Sequence, residues 1–325
     1  MSAPVLAIEG LKTHIHLKRG VVRAVDGVDL TVGHGETLGL VGESGSGKSM
    51  TGLSILRLLP KGSGKIVGGS IRLDGEELTT LPEKVLARDV RGRRVAMIAQ
   101  DPMTSLNPVF SIGDQVCGPF RYHGGLPRQE ARVAAIDVLQ RVRIPSPERR
   151  LGDYPHQFSG GQRQRIVTAM AIGRGPRLLI ADEPTTALDV TIQAQMIALL
   201  RRLQQETGAG IILITHDLGV AASLCNRIAV MYAGRIVETG PVREVFRNPA
   251  HPYTRALLAA IPKIGSRGNR LVAIPGQPPS LIDPPQGCRF AARCPLKAAV
   301  CEQYPATTAV GPDHSVACWR AGEAA

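Results

Sequence analysis

The chain reads as an α/β protein on a mostly parallel sheet, with a helical insert and a small cysteine-containing C-terminal extension. Three observations carry that reading. Short apolar runs alternate with segments of helical period, the pattern of a parallel sheet covered on both faces. One such run, Thr37–Val41, passes through a glycine-rich turn straight into a helical segment. Four of the six cysteines fall within the 31 residues from Cys288 to Cys318.

Taken in order, Val5 to Leu11 and Gly27 to Val32 are short apolar runs suited to strands, and Thr37–Val41 is a stronger candidate for a buried one. Gly42 to Gly47 breaks that strand, and Lys48 to Leu56 reads as the helix after it. Ile71 to Leu73 leads into Asp74-Gly75, a turn signal. Val95 to Ile98 is a further strand, which delivers Gln100. Over residues 103–170 helical stretches punctuated by Pro and Gly replace strands, and we read a helical insert. Its clearest helix is Gln129 to Arg143, with apolar Val133, Ile136, Val138, Leu139 and Val142. Strand signals return at Leu178 to Ala181 and Gly210 to Ile214. Between them, Val190 to Glu206 puts Ile192, Met196, Leu199, Leu200 and Leu203 on one helical face. Asp189 is placed to cap that helix and Gly208 to end it. Beyond Gly240 the texture changes. Pro249, Pro252 and Pro262 bracket a short helix around Thr254 to Ala260, and Pro275 to Pro285 is loop-like. This divides the chain into a domain over 1–240 and an extension over 241–325.

Composition narrows the functional classes. The formal charge is +12, with Arg outnumbering Lys 31 to 8, a balance that suits nucleic acid or an anionic membrane surface. The basic run Arg88, Arg91, Arg93 and Arg94, however, has the spacing of a solvated face. No apolar stretch approaches the ~18 residues that a spanning helix needs. Met1-Ser2-Ala3-Pro4 lacks the basic and apolar regions of a secretory signal. The expected place is the cytoplasm, with any membrane role supplied by a partner. Cys117 and Cys225 stand alone in the sequence and read as packing residues.

Gly42-Glu43-Ser44-Gly45-Ser46-Gly47-Lys48-Ser49 has the spacing of a loop whose backbone N–H groups wrap phosphates, followed by a helix N-terminus that adds partial positive charge. Lys48 reaches the terminal phosphates in such a loop, Ser49 ligates Mg²⁺, and Thr51 lies within the same nucleotide-binding stretch. Asp182 and Glu183 follow four apolar residues, at the C-terminal end of a strand, where α/β folds build their sites. Asp182 would complete the Mg²⁺ shell with Ser49 and Gln100, and Glu183 would polarise the attacking water. His216, in Thr215-His216-Asp217 after a strand, would touch the γ-phosphate. Ser159-Gly160-Gly161-Gln162 opens another helix whose N–H groups suit a phosphate.

The glycine loop, the intervening Gln100, Ser159–Gln162, Asp182-Glu183 and His216 together resemble ATP-binding cassette (ABC) ATPases. That resemblance implies a P-loop NTPase cassette, hydrolysis of ATP with Mg²⁺, and two cassettes closing on two ATP molecules. Ser159–Gln162 then faces the ATP held by the opposing subunit. Phe158 stands where the family usually has Leu. The family's upstream adenine-stacking aromatic is missing, since no Phe, Tyr or Trp precedes Phe110, and His14, Ile15, His16 or Leu17 would take its place. Gln100 to Pro108, Tyr154-Pro155-His156-Gln157, Asp182 to Gln195 and Asn248-Pro249-x-His251-Pro252-Tyr253-Thr254 are similar to dipeptide and oligopeptide importer ATPases. The resemblance implies two permease subunits docked on the helical insert, a second ATPase subunit (a paralogue or a second copy), an external substrate-binding protein, and a peripheral location on the cytoplasmic face of the cell membrane. Nickel and glutathione importers share these motifs and stay open as cargo. A soluble ABC ATPase acting on nucleic acid or ribosomes is the reading from another class. Such proteins carry paired cassettes, coiled coils or large inserts, so no nucleic-acid partner is expected.

Cys288, Cys294, Cys301 and Cys318 suit a metal better than disulfides in a cytosolic segment. Tight Cys-x-x-Cys pairs, the usual zinc pattern, are missing. Several importers that this chain resembles carry a four-iron four-sulfur cluster here, with zinc or unmetallated packing as the alternatives.

Overall fold

The computed structural model describes residues 3–186, 189–261 and 273–323. Strands β1 (Leu6–Leu17), β2 (Gly20–Val32) and β3 (Thr37–Val41) precede helix α1 (Lys48–Ile55), β4 (Gly64–Leu73) and β5 (Glu76–Glu77). Then come α2 (Glu83–Val85), β6 (Val95–Ile98), α3 (Pro102–Ser105), α4 (Ile112–Tyr122), α5 (Arg128–Arg141), α6 (Pro147–Arg150), α7 (Gly160–Ile172), β7 (Leu178–Asp182), α8 (Val190–Thr207) and β8 (Gly210–Thr215). The rest is α9 (Leu218–Leu224), β9 (Arg227–Tyr232), β10 (Arg235–Pro241), α10 (Val242–Arg247), α11 (Pro252–Ala259), β11 (Thr308–Gly311) and β12 (His314–Val316).

Two compact units emerge. The first comprises Met1–Val5, Val32–Glu36 and Thr80–Leu213. In it β6 and β7 pair in parallel, with β8 next in order. The interior of its helical part is lined by Val116 and Phe120 of α4, Ala131, Ala135, Val138 and Leu139 of α5, and Ile166 and Ala169 of α7. Val133, one of the apolar residues of α5, is 62% exposed, and two alanines occupy inward positions. Small side chains let neighbouring helices approach, so the inward stripe of α5 is written partly in Ala and not wholly in large apolar residues. The caps of α8 fall where the sequence places them: the Asp189 carboxylate accepts from Ile192 N–H at 2.9 Å, and Gly208 closes the helix in the left-handed region at φ 65°.

The second unit comprises Leu6–Thr31, Thr37–Thr79 and Ile214–Ala325. It holds an antiparallel sheet in the order β2-β1-β4-β5 and the strand series β11-β12-β10-β9-β3. In that series β3–β9 is parallel, whereas β9–β10, β10–β12 and β11–β12 are antiparallel. That series is therefore mixed. Periodicity marks β3 because all five of its residues are buried, whereas β1 and β2 alternate and run well past the short stretches read from their apolar residues. The extension joins this unit through β12 on β10, with Glu238 opposite Val316. Its Phe290 stacks into an aromatic group with Tyr232 and Tyr253, ring centroids 5.3 and 5.4 Å away. Pro262 lies outside the described residues.

Two further expectations meet the structure simply. Arg88 and Arg93, both solvent-exposed, pair with Asp89, and the more buried Arg91 pairs with Glu83. Burial pushes the Cys225 thiol up to about 12, and burial also raises that of Cys117, which keeps both as protonated packing groups. No described helix is long and apolar enough to cross a membrane.

Candidate nucleotide site

The glycine loop lies in the second unit between β3 and α1. Gly47 sits at φ 108°, and a Cβ there would run into the carbonyl of Ala24; one at Gly42 would run into that of Met231. The close approach of the β2 and β9 backbones thus demands glycine at these two positions. Gly234 N–H donates to Ser46 O at 2.7 Å and buttresses the loop from beneath. Lys48 is buried, and its ammonium donates to the carbonyls of Gly42 and Glu43, each at 2.8 Å, and to Ser46 Oγ at 3.4 Å. The lysine charge is therefore held against the carbonyls of its own loop. Thr51 Oγ1 donates to Gly47 O at 3.1 Å and locks the first turn of α1.

The first unit carries Gln100, Asp182, Glu183 and the Ser159–Gln162 turn. Asp182 ends β7 and is buried. Glu183 follows in the left-handed region, φ 46°, an unfavourable conformation for a non-glycine residue. Its carboxylate is met from two sides: Gln100 Nε2 and Thr186 Oγ1 each donate to Oε2 at 2.9 Å. Two residues that the sequence separates by 83 positions thus share a hydrogen bond. Asp182 offers a buried carboxylate, an oxygen donor of the kind that suits a hard cation such as Mg²⁺.

Ser159 caps α7: its Oγ accepts from Gln162 N–H at 3.3 Å, and the Gln162 side chain accepts from Ser159 N–H at 3.1 Å. This reciprocal box fixes the turn, while Gly160 stays exposed at the helix start. Phe158 is buried with the Arg150 guanidinium 3.9 Å from its ring centre, so the Leu-to-Phe departure is absorbed in packing. In the second unit, exposed His216 stands between β8 and α9, where Asp217 caps α9 by accepting from Gly219 and Val220 N–H. Of the residues upstream of the loop, His14 has a buried Nε2 without a hydrogen-bond partner, and burial lowers its pKa.

Sequence reasoning missed the grip of the extension on the loop. Arg293 donates to both Glu43 carboxylate oxygens, at 2.8 and 3.1 Å, and the Tyr253 hydroxyl accepts from Glu43 N–H at 2.9 Å. Nearby, Arg289 donates to Asp26 and to the carbonyl of Ala233. The available signal was the segment Cys288-Arg289-Phe290-Ala291-Ala292-Arg293-Cys294, two arginines inside an otherwise apolar stretch.

The four tail cysteines line one small cavity with His251, Phe290 and Trp319. Backbone N–H groups two residues on donate to three of the sulfurs: Phe290 to Cys288, Leu296 to Cys294, and Arg320 to Cys318. Burial pushes the Cys288 thiol up to about 11 and also raises those of Cys294 and Cys318. Yet among the described residues no group of three or more His, Cys, Asp or Glu is arranged to hold a metal ion. The expected iron–sulfur cluster and its zinc alternative thus find no support in the geometry.

Known proteins supply the frame for these features. Residues 25–186 match the ABC transporter family, and residues 237–301 match the oligopeptide/dipeptide transporter C-terminal region. A Sinorhizobium fredii protein named "Probable peptide ABC transporter ATP-binding protein" is 52% identical over 98% of this chain and 95% of its own length. The dipeptide transport ATP-binding protein DppD of Bacillus subtilis is 48% identical over 97% and 94%. Among solved structures, the dimeric post-hydrolysis state of the ATP-binding cassette MJ0796 bound to ADP and Pi superposes with a TM-score of 0.65 at 27% identity, covering 73% of this chain and 99% of that one. With about half of all positions shared over nearly the full length of both proteins, the chain belongs to the ABC transporter ATPases of the oligopeptide/dipeptide type.

Proposed function

We propose that this ATPase energises the import of di- or oligopeptides through a membrane permease, and that its motif residues act as follows. The loop from Gly42 to Ser49, with Thr51 behind it, holds the phosphates of ATP, and Lys48 turns from the loop carbonyls to the terminal phosphates. Ser49, Asp182 and Gln100 supply ligands for Mg²⁺, which when bound neutralises charge on the phosphate oxygens. Glu183 polarises the attacking water, and His216 meets the γ-phosphate. Ser159, Gly160, Gly161 and Gln162 serve the ATP held by a second cassette, a paralogue or a second copy. The observation that carries this reading is the Gln100–Glu183 hydrogen bond, which ties the strand leading into the helical insert to the water-polarising carboxylate. A permease pair pressing on that insert would reach the hydrolytic group through Gln100.

We read residues 1–240 as the cassette, about 103–170 as its permease-facing insert, and 241–325 as the importer-type extension. The partners are two permease subunits at the cytoplasmic face of the membrane and, through them, an external binding protein. Support for the peptide cargo comes from the names of the relatives and from the C-terminal region matched at 237–301. Glu183→Gln in the assembled importer is expected to lower steady-state ATPase by at least about 100-fold while ATP still binds. Unchanged hydrolysis would remove Glu183 from its role. ATPase stimulation by peptide-loaded binding protein, set against nickel or glutathione, decides the cargo.

The same reading gives the extension a four-iron four-sulfur cluster on Cys288, Cys294, Cys301 and Cys318. Its support is the family resemblance. Iron and acid-labile sulfide assays on anaerobically purified protein test it, and the absence of both leaves four packing thiols.

A further inference from the structure

We propose that Arg293 is a positioning residue for the phosphate loop. It is a guanidinium carried by the C-terminal extension that neutralises and fixes Glu43, the loop's second residue, and thereby sets how tightly the loop grips a nucleotide. The proposal rests on the reading of Gly42–Ser49 as the phosphate-holding loop.

The argument begins with an awkward residue. A carboxylate inside a loop meant for polyanionic phosphates opposes its own ligand, unless a cation compensates it nearby. Arg293 does so with a two-pronged fork, Nη1 to Oε2 at 2.8 Å and Nη2 to Oε1 at 3.1 Å, and its side chain is only 5% exposed. The fork cannot drift, because its remaining donors are engaged as well. Nε donates to Pro275 O at 2.9 Å, Nη2 to Ile274 O at 3.3 Å and Nη1 to the Tyr232 hydroxyl at 3.3 Å. The hydrogen bonds to Glu43 raise the pKa of Arg293, consistent with a charge that the carboxylate stabilises.

Every polar group of Glu43 is held. Its carboxylate is fixed by Arg293, its N–H by Tyr253 at 2.9 Å, and its carbonyl by the Lys48 ammonium at 2.8 Å. The last contact transmits the effect: a shift of Glu43 displaces the carbonyl on which Lys48 rests. Tyr253 and Tyr232 pack on each other, ring centroids 4.6 Å apart, so both hydroxyls are held by one rigid group. The extension thus sets the loop's charge and its shape from residues about 200 or more positions away.

The test is the Kd of full-length protein for a fluorescent ATP analogue with Mg²⁺, measured beside thermal unfolding. Arg293→Ala is expected to weaken binding on the order of tenfold. Adding Glu43→Gln should recover part of that loss, because the uncompensated charge is removed. A residue that merely staples the extension would show no such recovery. Wild-type affinity in folded Arg293→Ala, or a loss that Glu43→Gln leaves unrelieved, overturns the proposal. Should Arg293→Ala fail to fold, Arg293→Lys decides. It keeps the charge but cannot span both oxygens, so a few-fold weakening supports the proposal and wild-type affinity overturns it. Lys48→Ala, run in parallel, separates the premise from the inference: undiminished binding there would mean that the loop does not hold the phosphates at all.

Discussion

The phosphate loop and the C-terminal extension sit in one compact unit, yet they are ordered by different physics. The loop is local and built of backbone. Lys48 bonds to carbonyls five and six residues behind it, and glycines at 42 and 47 admit neighbouring strands that side chains would exclude. Among its described residues the extension holds two short strands, β11 and β12, and buried ionic side chains tie it down across long sequence distances. Arg289 reaches Asp26 and Arg293 reaches Glu43. His314 bonds Glu238 at 2.8 Å, while the same carboxylate accepts from the backbone N–H of Ala250 and His251. A short-range device can be recognised from spacing. One assembled from residues more than 200 positions apart cannot.

The comparison can be broken first at the loop. Gly47→Ala forces a Cβ into the Ala24 carbonyl at φ 108° and should weaken ATP binding by about 100-fold, measured by equilibrium titration. Tolerance of alanine there would mean that the loop is not the rigid backbone device described. At the extension, Arg289→Ala leaves Asp26 with only Arg235, at 3.2 Å, and should cost about 3 kcal/mol in denaturant unfolding, with a far smaller effect on nucleotide affinity. Equal damage to both quantities would erase the distinction between the two regions. The smallest effect is on pH dependence. Burial alone would raise the pKa of Asp26, but the charges and hydrogen bonds of Arg289 and Arg235 outweigh it and hold the carboxyl below its usual value. The folded value lies below the unfolded one, so this stabilisation is complete above the ordinary aspartate range near ~4 and is lost as pH falls through the folded value. Arg289→Ala should flatten that acid limb, which unfolding curves collected from neutral to acid pH would reveal.

How much of this was readable in advance varies with the residue. The strand at Thr37–Val41, the caps Asp189 and Gly208, and the loop from Gly42 to Ser49 were legible because each depends on neighbours within a few positions. The inward face of α5, which carries Ala131 and Ala135 while Val133 is exposed, was not legible from apolar content, because helix approach is decided by which small residues meet a partner helix. The antiparallel β2-β1-β4-β5 sheet escaped notice, since alternating half-exposed strands carry a weak apolar signal. The cysteine spacing announced a cluster of thiols, and the structure gathers all four around one cavity without an arrangement for a metal ion among the described residues.

Features that depend on residue type at fixed short spacing were settled in the primary structure: a glycine loop with its lysine, an Asp-Glu pair at a strand end, and a capped Ser159–Gln162 turn. Folding decided what no spacing encodes. It brought Gln100 to Glu183, turned Glu183 into a left-handed conformation, and set Arg293 against Glu43. The reason is that backbone geometry and helix caps are satisfied by sequence neighbours, whereas the partner of a buried charge is whatever group the finished fold carries to it.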